Sequence, residues 1–157
     1  MTHIRWMICR DLPAVLTIEQ EAFPYPWTED DIIRELRQRN KIGMVVEHEQ
    51  RVIAYSIYHL RPTYIDILNF AVRHDWRRQG VGSLLVEHIH KKLVNRRARV
   101  VVHVTDFNLG AQLFWSACGF NAVGIERGFF EGWDAYKFVR RHVPCRVTES
   151  ESREHAQ

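Results

Sequence analysis

Apolar positions recur along this chain with two periods, and the alternation between them predicts an ordered set of strands and helices. Ile4 to Cys9 reads as a first strand. Asp11 then reads as the cap of a helix with Pro13 in its first turn and Val15, Ile18 and Ala22 on one face. Phe23-Pro24-Tyr25-Pro26-Trp27 stops that helix, because two prolines cannot continue it. Thr28 and Asp31 form a capping-box pattern that opens a second helix with Ile32, Ile33 and Leu36 inward. Met44–Glu47, Val52–His59 and Tyr64–Val72 read as three successive strands joined by short polar links. Val81, Leu84, Leu85, His88, Ile89 and Leu93 have the helical period. Val100–Thr105 is a strand, and Asn108 caps a helix with Leu113, Phe114 and Ala117 on its apolar side, ended by Gly119. Ala122–Ile125 and Ala135–Val139 complete the set.

The order β-α-α-β-β-β-α-β-α-β-β predicts an α+β fold. Successive antiparallel strands followed by one crossover helix give a mixed, mostly antiparallel seven-stranded sheet covered by about four helices. The expected domain is 1–143. Beyond Pro144 the composition turns to Glu, Ser, Arg and Gln, so 144–157 is expected to be a polar, disordered tail.

At 157 residues and 46% hydrophobic, the chain can bury one proper core. A net charge of +3 is too small to imply nucleic acid, and none is expected as a direct partner. The distribution of charge says more. Residues 73–99 carry Arg73, Arg77, Arg78, Lys91, Lys92, Arg96, Arg97 and Arg99, whereas residues 19–35 carry Glu19, Glu21, Glu29, Asp30, Asp31 and Glu35. One region favours anions and the other cations, although solvated helix faces account for most single charges. Cys9, Cys118 and Cys145 are odd in number and widely spaced, which argues for a reducing compartment and against a zinc site; no metal is expected. No signal peptide or membrane-length apolar run is apparent, so the expectation is a cytoplasmic protein without a membrane partner.

The densest chemical signal is Trp76-Arg77-Arg78-Gln79-Gly80-Val81-Gly82-Ser83-Leu84-Leu85. It joins the apolar strand ending at Val72 to an amphipathic helix. A glycine turn there aims backbone N–H groups and the positive end of a helix at an anion, with arginines alongside. A dinucleotide turn needs a third glycine at position 85, which is Leu, and a place near the first strand. A triphosphate loop needs Gly-Lys-Ser/Thr, which is absent. Arg77-x-x-Gly80-x-Gly82 between strand and helix instead resembles the coenzyme A pyrophosphate turn of the GNAT N-acetyltransferases, over roughly residues 4–142 and with the same order of elements. That resemblance implies a three-layer α/β/α fold and acetyl-CoA as co-substrate. It places Arg77, Arg78, Gln79, Gly80, Val81, Gly82 and Ser83 on the pyrophosphate and Phe70, Ala71 and Val72 along pantetheine, with Asn108 and Trp115 also on the cofactor side. The basic residues at 91–99 are left either to the ribose phosphate or to water.

Within the superfamily, Ile18-Glu19-Gln20-Glu21-Ala22-Phe23 followed by Pro-Tyr-Pro-Trp-Thr resembles the first helix and substrate loop of the RimI-type ribosomal-protein N-terminal acetyltransferases. His103-Val104 with Asn108, and Arg127-Gly128-Phe129-Phe130 ahead of Trp133-Asp134-Ala135-Tyr136, resemble the second half of that family. The resemblance implies a protein N-terminus, such as that of a ribosomal protein, as acceptor, with Phe23, Pro24, Tyr25, Phe129 and Phe130 walling its site. Departures stand beside it. His103 occupies the position of the family's glutamate base, Trp115 that of its tyrosine acid, and Phe129-Phe130 that of a tyrosine pair.

His103 interrupts a valine strand, sharing a face with Val101 and Thr105. An N-terminal amine has a reference pKa near 8 and is roughly a tenth neutral at pH 7, so an imidazole of ordinary pKa near 6.5 suits removal of its proton. A thiolate leaving group with pKa of about 8.5–9 needs little acid help. Tyr64 and Asp66 are candidates to supply a proton or bind the amine, and Tyr136 is a weaker one. Cys118, just before Gly119, reads as a small buried residue rather than a nucleophile, which favours direct transfer. Two other readings stay open: an acetyltransferase for a small amine, and a non-catalytic acyl-CoA-binding module.

Overall fold

In the computed structural model, which describes residues 1–142, seven strands form one sheet. They are β1 (Thr2–Trp6), β2 (Lys41–His48), β3 (Arg51–Leu60), β4 (Ile65–Val72), β5 (Arg99–Thr105), β6 (Asn121–Phe130) and β7 (Trp133–Arg141). The helices are α1 (Leu12–Ala22), α2 (Glu29–Leu36), α3 (Val81–His90) and α4 (Leu109–Ala117). The spatial order is β1-β2-β3-β4-β5-β7-β6, antiparallel throughout except between β4 and β5, which α3 connects as a crossover. The polar tail at 144–157 lies outside the described residues.

Two cores flank the sheet. Leu12, Val15, Ile18 and Ile32 of α1 and α2 close on Val45, Tyr55 and Ile57 from one face. Val81, Leu85, Val86 and Ile89 of α3, with Trp115 of α4, close on Ile53, Ile65, Val100 and Val102 from the other. Thr28 Oγ1 accepts the Asp31 N–H at 3.2 Å and Asp31 accepts the Thr28 N–H at 2.8 Å, so the predicted capping box opens α2. Gly119, at φ +87°, ends α4 in the left-handed conformation that a C-terminal glycine supplies.

The start of the chain differs from the sequence expectation. The first strand ends at Trp6, Cys9–Asp11 form a 3₁₀ turn, and Asp11 makes no side-chain cap on α1. Its buried carboxylate instead takes two hydrogen bonds from the Arg5 guanidinium (2.7 and 2.8 Å) and one from the Ile8 N–H at 2.8 Å. A two-pronged charged bond outcompetes a helix cap for one carboxylate. Arg5 also donates to Glu47 at 2.8 Å, which ties the turn to β2.

The Arg5 hydrogen bonds hold the Asp11 carboxyl below its ordinary value of 3.8, against the opposing effect of burial. A depressed folded-state pKa contributes stability that is present above the unfolded value and lost as pH falls through the folded one. Asp11→Asn is therefore expected to cost about 2 kcal/mol at pH 7, in the lower part of the range for bonds between charged groups because Arg5 keeps 23% of its side chain in solvent. The gap from wild type should close as pH drops below 3.8. Denaturant titrations at several pH values measure it, and a gap independent of pH would remove the ion pair from the account.

A β-bulge in β4 sets the geometry of the site. Tyr58 pairs with Ile67 and Ile57 with Asn69, so Leu68 is an extra residue. The bulge reverses the facing of every later side chain. Ile65 and Ile67 face the α3 core, and after the bulge so do Phe70 and Val72, while Ala71 joins the α1 core. Strands β4 and β5 pair only from Ile65–Val100 to Ile67–Val102, and beyond that they part.

Candidate active site

A cleft of about 940 Å³ opens where β4 and β5 separate. Ile67 to Phe70 line one side and Val102 to Thr105 the other. The 23–27 segment, Phe107, Asn108, Ala111, Trp115 and the β6–β7 hairpin complete the walls. Of the predicted acceptor-side residues, Phe23, Pro24, Tyr25, Phe129 and Phe130 all line this one space, and so does His103.

His103 keeps only 10% of its side chain in solvent. Phe129 lies flat upon its ring, with centroids 3.9 Å apart and planes 11° from parallel. Glu126 Oε1 stands 3.1 Å from Nε2, without the alignment of a hydrogen bond, and neither ring nitrogen is hydrogen-bonded among the described residues. Both nitrogens are hidden from water, while Phe129, which covers the ring, is itself 44% exposed. The hairpin is built for this placement. Glu131 and Gly132 both have positive φ, as a two-residue hairpin turn requires, and the register slips between Glu126 and Phe130. Asp134 accepts the Gly128 N–H at 2.9 Å, which pins the slipped loop beside Phe129.

Asp66 shares the edge of β4 that pairs with β5 and is half-buried. Burial pushes its carboxyl up, and the nearby His103 is the strongest influence drawing it back. Tyr64 precedes β4 and carries the Arg99 guanidinium over its ring at 5.4 Å. Neither residue lines the cleft, so the structure does not bring Tyr64 and Asp66 into the acceptor space with His103. Trp115 is buried among Phe70, Phe114 and Phe120, with ring centroids 4.9 to 5.0 Å away, and serves as packing between α4 and the sheet. Burial pushes the Cys118 thiol up, and the residue lies outside the cleft, away from the reacting space.

The glycine turn sits at the far end of β4. Gly80 adopts φ +83° and is the residue before α3, so the N–H groups of Val81, Gly82 and Ser83 open the helix without intrahelical acceptors. Arg77 donates to the Val72 carbonyl at 3.2 Å and Gln79 to the Asp75 carbonyl at 3.1 Å, bracing the turn against the strand. Free N–H groups at a helix start, with Arg77 and Arg78 exposed beside them, fit a pyrophosphate. Gly82 matters for packing: a Cβ there would stand 2.9 Å from the Phe114 ring, so its absence lets α3 and α4 approach. Lys91 and Lys92 lie at the other end of α3, about 15 Å away along the axis. Asn108 Oδ1 caps α4 by accepting the Ala111 N–H at 3.1 Å.

The arrangement agrees with what the chain is similar to. The model of the acetyltransferase (GNAT) family matches residues 12–120. The chain belongs to the GNAT acetyltransferase family. It is 30% identical over 135 residues to the [ribosomal protein bS18]-alanine N-acetyltransferase of Escherichia coli (strain K12), covering 85% of this chain and 90% of that protein. The Salmonella typhimurium enzyme of the same name is 28% identical over 131 residues, covering 83% and 88%. The crystal structure of the ribosomal-protein-S18-alanine N-acetyltransferase from Escherichia coli superposes with a TM-score of 0.78 at 27% identity, covering 90% of this chain and 94% of that one. Ard1 from Thermoplasma volcanium shares the fold, with a TM-score of 0.79 at 23% identity and coverage of 90% and 98%. This GNAT chain is thus an N-acetyltransferase, with the seven-stranded mixed sheet and four helices that its sequence predicts.

Three residues of the site, Glu126, Glu19 and Asn69, are not among the predicted site residues, although Glu19 belongs to the acidic 19–35 region and to the first-helix motif. Glu126 reaches His103 across β7, where Lys137 pairs with His103 and Ala135 with Glu126, a diagonal that needs the register. Glu19 does leave a signal: it follows Val15 by one helical repeat and so stands on the apolar face of α1.

Proposed function

We propose that the chain transfers the acetyl group of acetyl-CoA to the α-amine of a protein N-terminus, with a ribosomal protein as the substrate class, in the cytoplasm and by direct transfer. One observation carries this reading: a single cleft at the parting of β4 and β5 brings His103 together with the 23–27 segment and the Phe129–Phe130 hairpin. Acetyl-CoA supplies the activated acyl group. The turn at 77–83 holds its pyrophosphate, and the separated edge of β4 at Phe70 to Val72 lies along the pantetheine arm. His103 takes the proton of the ammonium and passes it to solvent as the amine attacks the thioester carbonyl. The C–N bond forms and the C–S bond breaks; coenzyme A leaves as thiolate with little need of an acid and takes up the second proton, which the nitrogen sheds as it becomes the amide. Glu126 steadies the imidazole during the transfer. Phe23, Tyr25 and Phe130 enclose the first side chain of the acceptor.

The test is incubation with labelled acetyl-CoA and two parallel panels, peptides with different first residues and small amines such as polyamines. Acetylation of peptides beginning with alanine and other small residues is expected. Label confined to small amines would overturn the peptide reading, and binding of acetyl-CoA without transfer to either panel would favour an acyl-CoA-binding module.

A further inference from the structure

Glu19 is a carboxylate on the apolar face of α1 with 1% of its surface exposed, and no arginine or lysine bonds to it among the described residues. Its partners are all donors. Oε1 accepts the Trp27 N–H at 2.9 Å, and Oε2 accepts both the Tyr55 hydroxyl and the Asn69 side-chain amide, the latter at 2.8 Å. The other end of Asn69 accepts the Phe70 N–H at 3.1 Å, while the Asn69 carbonyl accepts the Ser56 hydroxyl at 2.9 Å. The bulge at Leu68 is what turns Asn69 towards α1. A line of hydrogen bonds therefore runs from the last residue of the 23–27 segment, through Glu19 and Asn69, to the backbone of β4 at the cleft. Glu19, Trp27, Asn69 and Phe70 all line that cleft.

We propose that Glu19 is the positioning residue of the acceptor site: its carboxylate clamps the 23–27 segment to the bulge of β4 and so sets the width of the cleft between them. The proposal rests on the acetyltransfer reading above for its substrate. The donor set requires an acceptor-only group. Burial pushes the Glu19 carboxyl up, and the Trp27 N–H and Asn69 amide pull it back. A proline-broken segment has no helix or sheet of its own to hold it. The Phe23 N–H bonds to the Glu19 carbonyl at 3.1 Å where the segment leaves α1, and at its far end the bond of the Trp27 N–H to the Glu19 carboxylate anchors it to the core before Thr28 opens α2.

The bond pattern makes a specific test possible. In Glu19→Gln the amide can satisfy Trp27 or Asn69 but not both. Whichever donor loses its oxygen faces an NH₂ instead, and flipping Asn69 moves the clash to the Phe70 N–H. Asn69→Asp sets two carboxylates face to face. The double variant E19Q/N69D restores the line: the amide at position 19 accepts from Trp27 and donates to the carboxylate at position 69, whose second oxygen accepts from Phe70.

Expected are a rise of about 10-fold in the KM of the preferred peptide for E19Q with a smaller change in kcat, a comparable defect for N69D, and recovery to within about 3-fold of wild type in the double variant. Tyr55→Phe, which removes one donor and no volume, should raise KM by about 3-fold and carries the test if E19Q folds poorly. A folded E19Q or Tyr55→Phe protein with lowered Tm and unchanged KM would overturn the proposal and leave Glu19 a stability residue. Additive defects in the double variant would overturn it as well. If wild-type protein acetylates only small amines, the peptide reading fails on that result, and the same KM comparison with the amine decides the role of Glu19.

Discussion

His103→Ala is expected to lower kcat/KM for the peptide acceptor by about 10²–10⁴-fold while leaving acetyl-CoA affinity nearly intact. The magnitude is that of a positioned general base. The separation of the two effects follows from the fold. His103 lies on β5 beneath Phe129, one residue past the last β4–β5 pair at Ile67–Val102, whereas the pyrophosphate turn lies beyond Val72, the end of β4, and begins α3. Because Phe129 stacks on the imidazole at 3.9 Å, alanine also leaves a gap under the hairpin. His103→Gln keeps much of that volume without a base, so it should lose nearly as much activity with a smaller fall in Tm. Glutamate at the same position restores a proton acceptor and should recover part of the rate. Unchanged turnover in His103→Ala, measured under single-turnover conditions with acetyl-CoA bound, would take His103 out of the reaction.

Most of the scaffold on which His103 sits is legible from periodicity alone. Each predicted strand and helix is present, with the expected capping box at Thr28 and the C-terminal glycine at 119. What escapes depends on register and competition between partners. The extra residue at Leu68 shifts the facing of Asn69 and Phe70 by one, and nothing in Ile65–Val72 marks where a bulge falls. Asp11 sits at a helix start and looks like a cap, yet Arg5 offers it two charge-assisted bonds from the neighbouring strand. Strand alternation puts Tyr64 and Asp66 on one face, whereas Tyr64 lies just outside β4 and neither residue lines the cleft. The acidic run at 19–35 divides in the same way. Asp31 caps α2, Glu35 pairs with Lys41, and Glu19 is buried, so the run is not one uniform cation-attracting surface.

Gly82→Asp is expected to weaken acetyl-CoA binding by more than about 100-fold, the equivalent of about 2.7 kcal/mol. Two effects add. The new Cβ would stand 2.9 Å from Cε2 and Cζ of Phe114 and 3.4 Å from Val72 Cγ2. Phe114 cannot simply retreat, because Phe70 and Trp115 pack against it at centroid distances of 5.6 and 5.0 Å. Overpacking of this kind costs about 1–3 kcal/mol and moves the start of α3, where the free N–H groups are aimed. A carboxylate in the first turn then occupies the end of the helix that attracts anions. It suits the helix dipole and opposes the phosphates, so the loss of ligand should exceed the loss of fold. Gly82→Ala separates the two effects: it carries the clash without the charge and should lower Tm comparably while retaining more affinity. Gly80→Ala probes the backbone instead, since φ +83° strains an alanine although no atom lies within 4 Å of its Cβ. Calorimetric titration of the three folded variants with acetyl-CoA and with free coenzyme A decides among them. Wild-type affinity in Gly82→Asp would place the pyrophosphate somewhere other than this turn, and equal losses in Gly82→Ala and Gly82→Asp would assign the effect to packing of α3 on α4 alone.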